Sequence, residues 1–234
     1  MFPGGCLLLL FHLASAWSSF RIPRAVCLRG HPLCAPPRRF EPSEPHAHWT
    51  GVKNASSPGI KSSSEDCLFL SVHTPGLGPK ARLPVWVWIH GGDFSKGGMA
   101  QEGDPRIISR TGIVVVMIQY RLGPFGFTVF NDDKDQTKVN LGFMDQTLAL
   151  DWVKSNIRRT FCGATGIKRG YAGLIVSSSG ISKTPWISTE LEAAKAVTRE
   201  LGVHLSCSLS HNLKSCLSTK SAVDIMNQEL SFHP

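Results

Sequence analysis

Leu83-Pro84-Val85-Trp86-Val87-Trp88-Ile89-His90-Gly91-Gly92-Asp93-Phe94 is an apolar strand that runs straight into a His-Gly-Gly turn. Glycine lets backbone N–H groups approach a ligand because no Cβ stands in the way, and two or three such donors converging on one point hold an oxyanion. That is half of the site an acyl-transfer enzyme needs. The other half is a serine on a strand-to-helix elbow, G-x-S-x-G, followed later in the chain by an acid and a histidine. No G-x-S-x-G occurs in the 234 residues.

Outward from the turn the context is long and ordered. Ser64-Glu65-Asp66-Cys67-Leu68-Phe69-Leu70 precedes it, Tyr120-Arg121-Leu122-Gly123-Pro124-Phe125-Gly126-Phe127 follows it, and Asn140-Leu141-Gly142-Phe143-Met144-Asp145-Gln146 comes next. Together these segments resemble the type-B carboxylesterase and cholinesterase family of α/β-hydrolases. Its members carry E-D-C-L-x-L, an oxyanion glycine turn, Y-R-L-G-x-x-G-F and N-x-G-x-x-D-Q in this order. Upstream, Ala35-Pro36-Pro37-Arg38-Arg39-Phe40 and Trp49-Thr50-Gly51-Val52 are similar to the family's early segment. Downstream, Tyr171 to Gly180 with Pro185-Trp186 is similar to the strand that follows the nucleophile helix.

The resemblance implies a serine hydrolase of carboxylic esters that uses no cofactor and no metal. It also exposes a gap. Where the family places the elbow strand and its serine, Arg158-Arg159-Thr160-Phe161-Cys162-Gly163 passes almost at once to the later strand, putting the junction of a missing block near 158–172. The family's acid and histidine belong beyond Pro234. The expected fold is therefore α/β: a partial α/β-hydrolase with a largely parallel central sheet, missing the elbow strand and the C-terminal part.

By resemblance, Gly91, Gly92 and Asp93 form the oxyanion turn. Asp93 stands where the family commonly has Gly, and a carboxylate beside a developing negative charge repels it unless protonated or turned away. The plainer reading, which we favour, is that Asp93 simply makes a turn. Ser178 is a weak substitute nucleophile: Val176-Ser177-Ser178-Ser179-Gly180 is one residue short of the elbow pattern. Val176 puts a branched side chain where the strained turn needs Gly, and Pro185 lies where the elbow helix would run. Chain order allows Ser178, Asp224 and His233 as a triad, but a chain with nine histidines offers some ordered trio by chance. His204 and His211 read as surface loop residues. Residues 50 to 66 contain no Trp, so a choline cation lacks the π-face partner that cholinesterases supply in that loop.

Leu7 to Phe11, followed by Ala14-Ser15-Ala16, reads as a signal peptide over 1–16, leaving one incomplete hydrolase domain over 17–234 and a secreted product. No other apolar run reaches membrane-spanning length. The cysteines beyond the signal are Cys27, Cys34, Cys67, Cys162, Cys207 and Cys216, an even set with no C-x-x-C pair, which argues against a metal or redox motif. The resemblance implies two loop-closing disulfides. Cys207 with Cys216 suits the smaller one. For Cys67 the nearest upstream candidate is Cys34, which precedes the Ala-Pro-Pro segment whereas the family's partner follows it, so its partner stays open. Asn54-Ala55-Ser56 is a glycosylation sequon.

A net charge of +8 invites a nucleic-acid reading, but neither basic cluster interleaves stacking aromatics, so Arg38, Arg39, Arg158 and Arg159 are expected to be solvated surface. Residues 17 to 66 are expected to be mostly loop. Strands are expected over 67–72, 84–89, 113–119 and 173–176, the second and third buried on both faces, with helices from Asp145 to Ile157 and from Thr189 to Leu201, the latter capped by Gly202. Two functions from different classes follow. One is an ester hydrolase in an incomplete, inactive form; the other is a non-catalytic extracellular binding module, like the neuroligin members that keep the fold and lose the serine, with a protein partner.

Overall fold

The computed structural model describes residues 26–32, 34, 36–46, 64–76, 83–99, 103–130, 139–160, 189–207, 212–228, 230 and 234. The expectations for residues 1–16, Asn54, residues 173–176, Ser178, His211 and His233 lie outside them, as does most of the 158–172 junction.

Four strands, β1 (Val26–Pro32), β2 (Phe69–Thr74), β3 (Val85–Ile89) and β4 (Val114–Ile118), form one sheet in the order β1-β2-β4-β3. β1 pairs β2 antiparallel, β2 pairs β4 antiparallel, and only β3 with β4 is parallel. The described sheet is thus mixed, correcting the expectation of a largely parallel one. An unbroken apolar run signals burial on both faces and says nothing of strand direction. β1 is a strand inside the stretch 17–66 expected to be mostly loop: its Val-Cys-Leu run is short, and β2 offers it an edge to pair with.

β4 is the centre of the sheet, buried along its whole length. Its alternate residues serve two cores, as a period of two requires. Val114, Val116 and Ile118 join Leu70 and Val72 of β2 against Ala149, Val153 and Ile157 of a long helix, α3 (Leu141–Thr160). Val115 and Met117 face Met99, with Trp88 and Ile108 packed alongside. Ile108 belongs to a short helix, α1 (Pro105–Ser109), on the crossover between β3 and β4. The spacing of Ala149, Val153 and Ile157 is one helical face, and each large side chain so buried contributes roughly 1.5–3 kcal/mol.

β3 departs from its expected burial. Trp86 and Ile89 are 41% and 39% exposed, because β3 is the sheet's edge and pairs only with β4 among the described residues. α3 begins four residues before the expected Asp145. Asp145 is fully buried and ion-paired with Arg121.

A second core holds the C-terminal part. Phe127 of α2 (Gly123–Phe127), Leu201 of α4 (Leu191–His204), Leu217 of α5 (Leu213–Thr219) and Ile225 of α6 (Ala222–Met226) pack with Phe40, Phe130 and Leu205 from the segments between elements. α4 runs through Gly202, correcting the cap expected there. Ser206, at φ +55°, takes the left-handed position instead, with its own N–H donating to Val203 O at 3.0 Å and the Cys207 N–H to Gly202 O at 2.8 Å. That double bond pattern satisfies two orphan carbonyls of the helix end. His204 is therefore the exposed last residue of a helix rather than a loop histidine. Cys207 and Cys216 are joined by a disulfide with Cα atoms 5.7 Å apart.

Arg39 is not solvated surface either. Its guanidinium holds the Glu65 carboxylate at 2.7 and 2.5 Å and donates to the carbonyls of Ser218, at 3.1 Å, and Lys220, tying the N-terminal segment to the end of α5. Arg38 is exposed, as expected. No helix among the described residues is long and apolar enough to cross a membrane.

Candidate oxyanion site

The strand β3 delivers the chain at Ile89 into a turn that cannot be built without glycine at two places. Gly92 has φ +123°, and a Cβ there would lie 2.0 Å from the Lys96 carbonyl oxygen. Gly97 has φ +108°, and a Cβ there would meet Gly91 O at 2.2 Å and His90 Nδ1 at 2.7 Å. Between them Asp93 and Phe94 both adopt left-handed backbone, at φ +55° and +54°. Asp tolerates that region; a bulky aromatic rarely does.

Phe94 is held there from outside. Its ring meets Phe127 at 5.2 Å and Phe143 at 5.6 Å, both edge-on, and its carbonyl accepts the Gly123 N–H at 2.6 Å. Packing that fixes a disfavoured backbone is how such strain persists. At the other end of the turn His90 is buried, stacked on Tyr120 at 4.6 Å, and its carbonyl accepts the Tyr120 hydroxyl at 3.0 Å. His90 Nδ1 lies 3.0 Å from Gly91 O, so it carries the proton and donates. The turn closes on itself through Gly92 O, which accepts from the N–H groups of Ser95 at 3.1 Å and Lys96 at 3.0 Å.

With the carbonyls so occupied, the amides are what the turn presents. Gly91 is exposed and Gly92 half-buried, and their N–H groups meet no acceptor among the described residues. Two preorganised N–H donors on a rigid loop can stabilise a carbonyl oxygen that gains negative charge. Asp93 is exposed beside them, in a conformation suited to a turn.

Of the other singled-out residues, Asp224 is exposed in the first turn of α6, where its N–H bonds Ser221 Oγ at 3.0 Å. Ser178 and His233 lie outside the described residues, so the trio is not brought together by anything described. Cys34 and Cys67 are thiols in this structure, Cys34 buried and Cys67 half-buried. Tyr120, Phe94 and Gly97 are the functional supports that the sequence reading passed over. The Tyr-Arg-Leu-Gly motif carried the signal for Tyr120, but nothing local says that its hydroxyl reaches a carbonyl thirty residues upstream.

The carboxylesterase family model matches residues 29–166, a span that takes in the sheet from β2 to β4, the glycine turn and α3. Acetylcholinesterase of Danio rerio is 30% identical over 260 aligned positions, covering 89% of this chain and 40% of that protein. Carboxylesterase 1D of Mus musculus is 33% identical over 242 positions, covering 87% of this chain and 42% of the relative. Liver carboxylesterase 1 of Oryctolagus cuniculus is 38% identical over 166 positions, 59% of this chain and 29% of that protein. The first two alignments are longer than this 234-residue chain, so they open gaps where the relatives hold residues that it lacks. The chain spans about two fifths of the length of these two relatives. The glycine turn on its strand, the motif order and the matched span agree: the chain belongs to the carboxylesterase family.

Proposed function

We propose that this chain is a secreted carboxylesterase-family protein that retains the oxyanion turn for carboxylic esters but does not hydrolyse them by itself. The observation that carries the reading is the pair of Gly91 and Gly92 amides that meet no acceptor among the described residues, on a turn held by Tyr120 and Phe94, in a sequence without a G-x-S-x-G elbow. An oxyanion turn lowers the barrier only once a nucleophile and base have attacked the carbonyl. Secretion is read from the segment 1–16, and sequencing the N-terminus of exported material should find Trp17 first.

Short-chain nitrophenyl esters and a serine-directed organophosphonate probe test the inactivity. The expected result is no turnover above buffer and no labelled serine. Turnover with labelling of Ser178, both lost in Ser178→Ala, would overturn it. No turnover from a soluble monomer that unfolds cooperatively and captures an extracellular protein would favour the binding-module function instead.

A further inference from the structure

We propose that the outer edge of β3 is an interface for a second copy of this chain, the two β3 strands pairing antiparallel about a two-fold axis at Val87. The backbone sets what the edge offers. Pro84 O accepts the Val114 N–H at 2.9 Å, so Pro84 turns its carbonyl toward β4. Peptide groups alternate in direction along a strand, so Trp86 and Trp88 follow Pro84, while Val85, Val87 and Ile89 turn their N–H and C=O groups outward. These outward groups meet no partner among the described residues. Three donors and three acceptors in a row form a template for another strand.

The strand that fits this template best is its own copy. β3 reads Val-Trp-Val-Trp-Ile, nearly symmetric about Val87. An axis at Val87 sets that residue opposite itself and Val85 opposite the other copy's Ile89, in hydrogen-bonded pairs that use every outward group of the strand. Trp86 then falls opposite the other copy's Trp88 in a non-hydrogen-bonded pair, where side chains come closest. Like meets like on both faces. Val85 and Val87 pack toward the α3 side of the sheet, whereas Trp88 packs against Met99, Val115 and Met117 on the other, with Trp86 edge-on to it at 6.1 Å and 41% exposed. An axis at Trp86 or Trp88 instead runs one end of β3 past the end of its partner strand.

The opposite edge of the sheet does not compete. β1 is bulged between Leu28 and His31 and contains Arg29, Gly30 and Pro32, and bulges, charges and proline are what blunt an edge against strand addition. β3 contains none of these. Pairing β3 with β3 is isologous, each copy giving and receiving the same surface. Five residues a side fall well short of the roughly 20–30 a side of a stable interface, so monomer and dimer coexist and the mean mass climbs with concentration.

Sedimentation equilibrium of the full chain over a dilution series, with disulfide trapping of cysteine variants by oxidised glutathione and peptide mapping, tests the interface and its register. The mean mass is expected to rise from one chain toward two, and Trp86→Lys and Ile89→Lys to hold it at one. Val87→Cys should link to its own copy, since self-opposed Cα atoms lie about 5.5 Å apart, within disulfide range. Val85→Cys should not link to itself, its two Cα atoms being about 13 Å apart, but should link to Ile89→Cys when the two variants are mixed. A mass of one chain at every concentration would overturn the proposal. So would a rising mass without the Val87→Cys link, or self-linkage of Val85→Cys as readily as of Val87→Cys. Mass and linkage are read without ester turnover, so the result is independent of the function proposed for the glycine turn.

Discussion

Arg121 and Asp145 form a two-pronged ion pair, with Nε to Oδ2 at 2.8 Å and Nη2 to Oδ1 at 2.9 Å, in which neither side chain is more than 5% exposed. Most of the donors and acceptors around it are used. Arg121 also donates to Glu41 O at 2.6 Å and Ser43 Oγ at 3.0 Å, while Asp145 accepts from Ser43 Oγ at 2.6 Å and the Arg121 N–H at 3.1 Å. The pair joins the loop after β4 to α3 and to the N-terminal segment, which keeps the Tyr120 support in place. Asp145→Asn or Arg121→Met alone should cost about 3–5 kcal/mol in urea unfolding, since each leaves a buried charge without its counter-ion. The double variant Arg121→Met/Asp145→Leu should lose less than either single one. A single-variant loss under about 1 kcal/mol would show that the pair is not structural.

Gly92 and Gly91 separate the turn's backbone needs from its chemistry. Gly92→Ala puts a Cβ 2.0 Å from a carbonyl oxygen at positive φ, and should destabilise by more than about 2 kcal/mol. Gly91→Ala meets nothing within 4 Å and should stay within about 0.5 kcal/mol of the parent. Thermal denaturation of the two variants side by side checks both.

Tyr120 should titrate late. Burial pushes its phenol up to about 12, so the neutral form is favoured in the folded chain over the unfolded one. Its contribution to stability is intact below pH 10, the ordinary value for a tyrosine, and is lost as pH rises from there through about 12. Ultraviolet titration should resolve Tyr120 as a late step, and Tyr120→Phe should remove that step. The variant should also lose about 1 kcal/mol, because the buried His90 carbonyl loses its donor.

The Cys207–Cys216 bridge closes a short loop between α4 and α5. Loop-closure entropy for that separation gives about 2.5 kcal/mol, so Cys216→Ser should lower the unfolding midpoint accordingly. Reduction by dithiothreitol should lower the parent by at least a similar amount.

The β3 edge should drive self-association. It carries Trp86 and Ile89 part-exposed on a strand paired on one side among the described residues. Unpaired apolar edges template intermolecular pairing, and a charge on the edge blocks it. Light scattering should show concentration-dependent aggregation that Trp86→Lys reduces. A monodisperse parent at high concentration would count against this.

Local pattern was enough to place β3 before the glycine turn, β4 as a doubly covered strand and a helix after Asn140-Leu141-Gly142, because apolar periodicity and glycine punctuation are local properties. Motif order was enough to identify the family. Strand direction was not in the pattern: the Val114–Ile118 run reads the same whether its neighbours run with it or against it, and only pairing with β2 on one side and β3 on the other decided. The burial of charge was not in the pattern either, and Arg39 was read as solvated for that reason. Arg39 and Asp145 carry no local mark of burial, and their partners Glu65 and Arg121 lie over twenty residues away. Gly202 looked like a helix end, yet the packing of Leu201 and Leu205 into the second core carried the helix past it to a cap at Leu205, with Ser206 left-handed behind it. The sequence alone determined that a strand running into a glycine turn is encoded. That it is locked from one end by Tyr120 and from the other by Phe94 came from contacts that exist only once distant segments are packed.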